Sequence, residues 1–294
     1  MRILISGASG MIGSAVAPYV AGQGHEIVRL VRHTPGPGEV RWDPDAGTID
    51  AAGLEGFHGV VHVASMSWAG RWTGAFKRRI RDNRLRANSL LAETLAGRER
   101  KPRVLVFASG QGAYASSGDQ LLTEDSPLGT DFLAQLQRDG EAATLPASAA
   151  GIRVVPLRIT TVLGDAPFAS LARNARRIGS GEQWWSWIAL DDMTRIVLHA
   201  LTTDALAGPV NVASPNPVRN AEFVATVARV LGRKPGSPMP AFLLRLALGE
   251  MAGALLLASR RLAPRKLLAT GYPFRFPELE AALRHELEVA AQGR

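Results

Sequence analysis

Cysteine is absent from the sequence. Disulfides, thiolate metal sites and a cysteine nucleophile are thereby excluded, and a reducing compartment fits. Histidine is sparse. His25, His33, His58, His62, His199 and His285 form no H-E-x-x-H motif and have no cysteine partners, so no metal is expected. The G-x-S-x-G elbow of many serine hydrolases is missing as well. Lysine is scarce in a basic chain: of 34 basic residues only Lys77, Lys101, Lys234 and Lys266 are lysines, and the formal net charge is +8. No nucleic-acid motif accompanies the arginines. Their densest run, residues 77–86, carries apolar positions at Ile80, Ala87 and Leu91 in helical spacing, which makes the arginines a solvated face. No nucleic-acid partner is expected; an attraction for phosphorylated small molecules is the milder inference. Long apolar runs are also lacking. The most apolar stretch, Ala241 to Ala258, is interrupted by Arg245 and Glu250 and reads as a buried or amphipathic helix rather than a membrane span.

What is present is a soluble globular composition, 46% hydrophobic and 20% charged over 294 residues, enough for a substantial core. The chain opens with MRILISGASGMIG. Arg2 to Ser6 is an apolar run of the right length for a buried parallel strand. The first strand starts at residue 2, which leaves no room for a signal peptide, and a cytoplasmic location is expected. Gly7, Gly10 and Gly13 follow as G-x-x-G-x-x-G, and residues 14–20 read as a helix packed on a sheet. Such a turn needs positive φ, and a pyrophosphate needs backbone N–H groups with no side chain in the way. The third glycine brings the helix close to the strand. Gly7, Ser9, Gly10, Met11, Ile12 and Gly13 are therefore candidate cofactor-binding residues.

A second strand, His25 to Val31, ends at Arg32-His33 with no acidic residue. In a dinucleotide fold this strand end faces the adenosine ribose, where an acid marks NAD. Arg32 instead suits a 2′-phosphate, so NADP(H) is the expected cofactor. Further strands are expected at Gly59 to Ala64, Arg103 to Ala108, Ile152 to Leu157 and Pro209 to Ala213, with a short hairpin around Val40-Arg41-Trp42. Helices are expected up to Leu95 and over Phe132 to Thr144. This alternation predicts an α/β fold with a Rossmann-like, doubly wound parallel sheet. Past Ser214, prolines and apolar helices take over. The expected division is residues 1–160 with 187–213 for dinucleotide binding, and 161–186 with 214–294 for a smaller, mostly helical substrate-side domain.

The SGASGMIG segment resembles the TGxxGxxG fingerprint of extended short-chain dehydrogenases/reductases. More particularly, the chain is similar to a subgroup of nucleoside-diphosphate-sugar epimerase-like proteins. The matching blocks are Val61 to Ala64, Arg71-Trp72 with Lys77 to Arg84, Ser180 to Gln183 through Ser186-Trp187-Ile188 to Asp191-Asp192, Asn211 with Ala213 to Pro215, Pro238 to Pro240, and Pro264 to Leu268 with Gly271 to Pro277. They span nearly the whole chain. The resemblance implies a dinucleotide-binding domain, a preference for NADP and a small C-terminal domain; it implies a reaction class only loosely.

Short-chain dehydrogenases usually work through Tyr-x-x-x-Lys with a serine. Here Tyr19, Tyr114 and Tyr272 are followed four residues later by Gln23, Gly118 and Phe276, so the pair does not occur. If Glu141 matches the family's helix glutamate, Leu133 and Gln137 occupy the tyrosine and lysine positions. The family's tryptophan before that glutamate is Gly140, the histidine of its WIH block is Ala189, and the segment after Val162-Leu163-Gly164 runs directly into Asp165-Ala166-Pro167. The remaining catalytic candidates are Ser109 and Tyr114, the latter either a general acid or a packed strand-end residue. Ala64, Ser65 and Arg158 join the cofactor candidates, and Arg71 and Trp185 are substrate candidates; Arg158 also suits an anionic substrate group. The loop Met66 to Thr73 carries Trp68, Arg71 and Trp72. Trp184, Trp185 and Trp187 either wall a cleft or pack a core or lid. Asp191-Asp192 reads as a helix N-cap.

Two functions follow. One is an NADP(H)-binding oxidoreductase or epimerase-like protein acting on a small carbonyl or hydroxyl compound, its proton coming from Tyr114, a serine or ordered water. The other is a catalytically weak, NADP-binding regulatory or redox-sensing protein. Partners are expected to be a small-molecule substrate, with no nucleic acid and no membrane; a homodimer is left open.

Overall fold

The computed structural model describes residues 1–67, 70–164 and 175–292. Trp68 and Asp165-Ala166-Pro167, singled out above, lie outside the described residues. The chain opens with β1 (Arg2–Ser6), α1 (Met11–Gly22), β2 (Glu26–Val31), β3 (Glu39–Asp43), β4 (Thr48–Ile49), β5 (Gly59–His62), α2 (Gly74–Ala96), β6 (Val104–Gly110) and α3 (Phe132–Ala142). An eight-stranded sheet runs in the order Val210–Val212, Arg153–Ile159, β6, β5, β1, β2, β3, β4. β1 is parallel to β2 and β5, β5 to β6, and β2 to β3, whereas the β3–β4 hairpin is antiparallel. The expected doubly wound sheet is thus observed.

The strands are apolar on both faces, as parallel strands covered by helices must be. Val60, Val61, Val104, Leu105, Val106 and Phe107 are buried along the two central strands. α2 buries Ile80, Ala87, Leu91, Ala92 and Leu95 and leaves several of its arginines exposed, as its spacing predicts. Each such leucine contributes about 1.5–3 kcal/mol through burial. Thr73 starts α2 by accepting a hydrogen bond from the Phe76 N–H at 3.2 Å. α3 ends at Ala142, two residues before the expected stop, where Thr144 Oγ1 donates back to the Glu141 carbonyl at 2.7 Å. A hydroxyl that competes for a backbone acceptor loosens the last turn.

Contacts divide the chain into two compact units. The first comprises Met1–Ser109, Leu136–Leu157 and Thr194–Val210. The second comprises Gly110–Gln135, Arg158–Met193 and Asn211–Arg294. The second unit has its own core around Trp187, Phe223, Val224, Val227 and Leu283. Short two-stranded ladders and helices at Asn220–Val230, Ala241–Leu248 and Leu279–Gln292 surround it.

Asp191-Asp192 departs from the N-cap expectation. The helix Leu190–Thr202 takes its cap from Glu286, whose Oε1 accepts from the Leu190 N–H at 2.9 Å. Asp192, fully buried, instead accepts from Tyr272 Oη at 2.8 Å and from the N–H groups of Arg275 and Phe276 at 2.9 Å each. The aspartates sit inside the first turn rather than before it, and their carboxylates hold the segment at residues 272–276. The apolar stretch after Pro240 is helical but not buried. Ala241–Leu248 contains no fully buried residue, and Phe242 and Leu246 are 66% and 78% exposed. Among the described residues, no helix is long and apolar enough to cross a membrane.

Candidate functional site

The strand order reverses between β1 and β5, and ligands of such sheets bind beyond the carboxyl ends at that reversal. Ser6 is in register with Leu30 on one side and His62 on the other. Three segments therefore leave the same sheet edge: the glycine turn from β1, Arg32 from β2, and Ala64-Ser65 from β5. Gly7 has φ +72°, and a Cβ there would stand 2.6 Å from the Ala64 nitrogen. A Cβ on Gly13 would overlap the Gly7 carbonyl oxygen. The Gly10 N–H donates to that oxygen at 2.9 Å and closes the turn. α1 begins at Met11 with no acidic residue in its first turn. Its Met11, Ile12 and Gly13 N–H groups have no intrahelical acceptor and lie at the positive end of the helix dipole. Ser9, Gly10 and Met11 are exposed, so the cradle is open to a ligand. Arg32 is exposed just beyond β2. These residues fit the pyrophosphate and 2′-phosphate of a dinucleotide.

A buried polar chain lies under this edge. Ser6 Oγ donates to His62 Nδ1 at 2.5 Å, His62 Nε2–H donates to Asn88 Oδ1 at 3.1 Å, and Asn88 Nδ2 donates to the Gly140 carbonyl at 2.8 Å. Both ring nitrogens are thus used by a neutral imidazole. Burial holds its pKa down at about 4, against the Asn88 hydrogen bond, while the Arg84 charge lowers it further.

At the end of β6, Ser109 is nearly buried at 7% exposure. Its Oγ lies 2.7 Å from Glu141 Oε1 and 3.3 Å from Gln137 Oε1; a single hydroxyl proton favours the shorter bond to the carboxylate. Arg84 Nη1 donates to Gln137 Oε1 at 2.5 Å. Burial lowers the Arg84 pKa to about 10, and the Glu141 carboxylate opposes that shift. The cluster holds a carboxylate, a guanidinium, an amide and a hydroxyl, which is enough to hold or move a proton at Ser109.

The second unit holds Tyr114, Arg158 and Trp185. Tyr114 is fully buried. Its hydroxyl donates to Asn211 Oδ1 at 2.7 Å and accepts from Arg158 Nη1 at 2.9 Å. Arg158 also stacks 5.0 Å from the Tyr114 ring centroid. Asn211 Nδ2 donates to the carbonyls of Leu122 and Ala263, and Glu124 Oε1 accepts from the N–H groups of Asn211 and Lys266. Trp185 is buried edge-on to Phe223, centroids 5.4 Å apart, in the core of this unit. Arg71, in the first unit, is exposed on the loop before α2.

The family described as NAD dependent epimerase/dehydratase matches residues 3–213, and a domain of unknown function, DUF1731, matches residues 239–286. This chain belongs to the NAD dependent epimerase/dehydratase family. An epimerase family protein of Mycobacterium leprae is 37% identical over 99% of this chain and 97% of its own. The crystal structure of human epimerase family protein SDR39U1 with NADPH is 32% identical, covers 98% of this chain and 99% of its own, and superposes with a TM-score of 0.90. A nucleoside-diphosphate sugar epimerase structure from Corynebacterium glutamicum is 34% identical over all of this chain and 60% of its own, with a TM-score of 0.81.

For this epimerase-family chain, sequence reasoning named Glu141 and Gln137 by their match to the family's helix positions but missed them as a cluster with Ser109 and Arg84. One signal was present. Gln137 and Glu141 stand one helical turn apart, so α3 turns both toward the same neighbour. Arg84 carried no signal; in the sequence it is one arginine in a basic helical run.

Proposed function

We propose that the protein binds NADP(H) and works as an oxidoreductase or epimerase-like enzyme on a small carbonyl or hydroxyl compound. The glycine cradle carries this reading: Gly7, Ser9, Gly10, Met11, Ile12 and Gly13 supply side-chain-free N–H groups for the pyrophosphate, with Ala64 and Ser65 beside them. Arg32 takes the 2′-phosphate through charge-assisted hydrogen bonds. The NADPH held by human SDR39U1, at 32% identity over 98% of this chain, supports the same cofactor here. A cytoplasmic setting accords with the cysteine-free composition.

The nicotinamide, when bound, supplies or accepts the hydride. The protein handles the proton. Ser109 takes the proton of a substrate hydroxyl on Oγ while passing its own to Glu141, 2.7 Å away. In the reducing direction the same two transfers run backwards and protonate the carbonyl oxygen. The Arg84–Gln137 pair orients the acceptor side of this relay. Tyr114 and Arg158 are assigned to a strut through Asn211 and Glu124, since both are engaged inside the second unit.

Calorimetry with NADPH and NADH tests the cofactor, on wild type and Arg32→Ala. NADPH is expected to bind more tightly, and the variant to lose that preference; equal loss for both coenzymes rejects the phosphate role. Substrate-dependent NADPH oxidation over a panel of ketones, aldehydes and nucleotide sugars tests turnover. The regulatory reading is favoured by one observation, Leu133 and Gln137 at the expected tyrosine and lysine positions. Tight NADPH binding with no turnover on any compound would select it.

A further inference from the structure

The second unit contains a cavity of about 480 Å3 that neither the cofactor cradle nor the Ser109 cluster uses. That volume lies within the range of small-ligand sites. Its inner surface is apolar, with Leu133 and Ala258 buried and Phe132 and Ala254 half-buried. Asp131, Arg245 and Glu250 are exposed at the rim. Arg260 is the charged group inside, 4% exposed. Its Nε donates to the Tyr114 carbonyl and its Nη1 to the Ala254 carbonyl, each at 2.8 Å. Two arginines thus face two carboxylates, and the lining is formally neutral.

One wall is the five-residue π-helix Ala252–Leu256. Such wide turns are uncommon and concentrate at functional sites. Gly253 lies on that wall, and a Cβ there would meet nothing within 4 Å. The glycine therefore borders open space rather than a close backbone contact. Leu133, which also lines the cavity, stands where counting back from Glu141 puts the family's tyrosine.

We propose that this cavity is a binding site for an uncharged alcohol or carbonyl compound with a hydrocarbon body, and not for a nucleoside-diphosphate sugar. The apolar surface takes the hydrocarbon. A diphosphate would bring at least two negative charges to a formally neutral lining, which offers no net positive charge to balance their desolvation. Binding at this cavity does not depend on the oxidoreductase reading above.

The test uses the full chain, with and without saturating NADPH, titrated by NMR with 2-decanone, acetophenone and UDP-glucose. Ketone binding is expected in both states, with UDP-glucose at least tenfold weaker. Gly253→Phe fills the open space and is expected to weaken ketone binding at least tenfold, while NADPH affinity and the unfolding midpoint stay as in wild type. Gly253→Leu, a smaller filling, gives a partial loss and serves should the phenylalanine variant fail to fold. Ketone binding untouched by a folded filling variant overturns the proposal, as does UDP-glucose binding more tightly than the ketones. Ketone binding lost on filling in a protein that does not bind NADPH keeps the cavity site and removes the oxidoreductase reading.

Discussion

A Cβ placed on Gly7 would stand 2.6 Å from the backbone nitrogen of Ala64, across the point where the strand order reverses. The two loops that leave β1 and β5 pack backbone to backbone. Neither a rotamer change nor a side-chain shift can make room. Gly7→Ala is expected to cost about 1–3 kcal/mol from overpacking, with strain from φ +72° added. NADPH affinity is expected to fall at least tenfold. Gly24→Ala is the control: its φ is +81°, but its Cβ would meet nothing within 4 Å. It is expected to cost about 1 kcal/mol through backbone strain and to leave NADPH binding intact. Urea unfolding and calorimetry on the pair separate backbone strain from close approach; equal NADPH losses would remove the cradle from the cofactor site.

The sheet was legible because its strands are short apolar runs bounded by glycine and polar turns, as in Ile3 to Ser6 and Val104 to Phe107. Their burial on both faces leaves a strong local pattern. Side-chain partnerships across long separations left no such pattern. Glu286 caps a helix that begins at Leu190, and nothing near either residue announces it. Asp191-Asp192 carried the usual cap signature, yet the backbone enters the helix one residue earlier and gives Asp192 to Tyr272, Arg275 and Phe276. Ser109 was readable as a polar strand end, but its pairing with Glu141 depends on how α3 packs. Tyr114 was readable as a tyrosine after a strand; its commitment to Asn211 and Arg158 was not.

Ser109 and Glu141 make the proton-handling assignment testable. Glu141→Gln keeps an oxygen that can accept from Ser109 and removes the ability to take its proton. Ser109→Ala removes the donor. Each is expected to lower kcat about 100-fold or more, the ordinary range for a lost general acid–base group. NADPH affinity should change less than about twofold, because neither side chain belongs to the phosphate cradle. Steady-state kinetics on whichever carbonyl compound turns over, beside calorimetry, provides the check. A fall in NADPH affinity that accounts for the whole loss would make the pair structural.

His62 predicts an acid-sensitive first unit. Its pKa is held down at about 4 from an ordinary 6.5, mainly by burial. Between these values the unfolded chain binds a proton that the folded one refuses, so stability falls as pH drops from 6.5 toward 4. The full effect is about 3 kcal/mol, reached near the lower value. His62→Gln removes the titration at some cost in packing. The free-energy gap between wild type and His62→Gln, from urea unfolding, is expected to narrow across that window as pH falls. A gap independent of pH would mean that the imidazole protonates in the fold as readily as outside it.

Glu286 predicts the opposite slope in the second unit. Burial pushes its pKa up to about 7, against the hydrogen bonds from the Leu190 and Asp191 N–H groups that favour the charged form; Asp191 and Asp192 add to the upward shift. Between the ordinary 4.5 and that value the folded state holds more protons than the unfolded one, so stability declines as pH rises through the window. Glu286→Gln retains an oxygen to accept from Leu190 and stays neutral. It is expected to match wild type near about pH 5 and to exceed it near about pH 8, where the wild-type carboxylate is ionised among two aspartates. Because His62 and Glu286 pull in opposite directions between 4.5 and 6.5, the wild-type profile alone can be nearly flat. Only the two variants, measured separately, resolve the trends, and a Glu286→Gln protein that is less stable than wild type at pH 8 would show the ionised carboxylate to be the better cap.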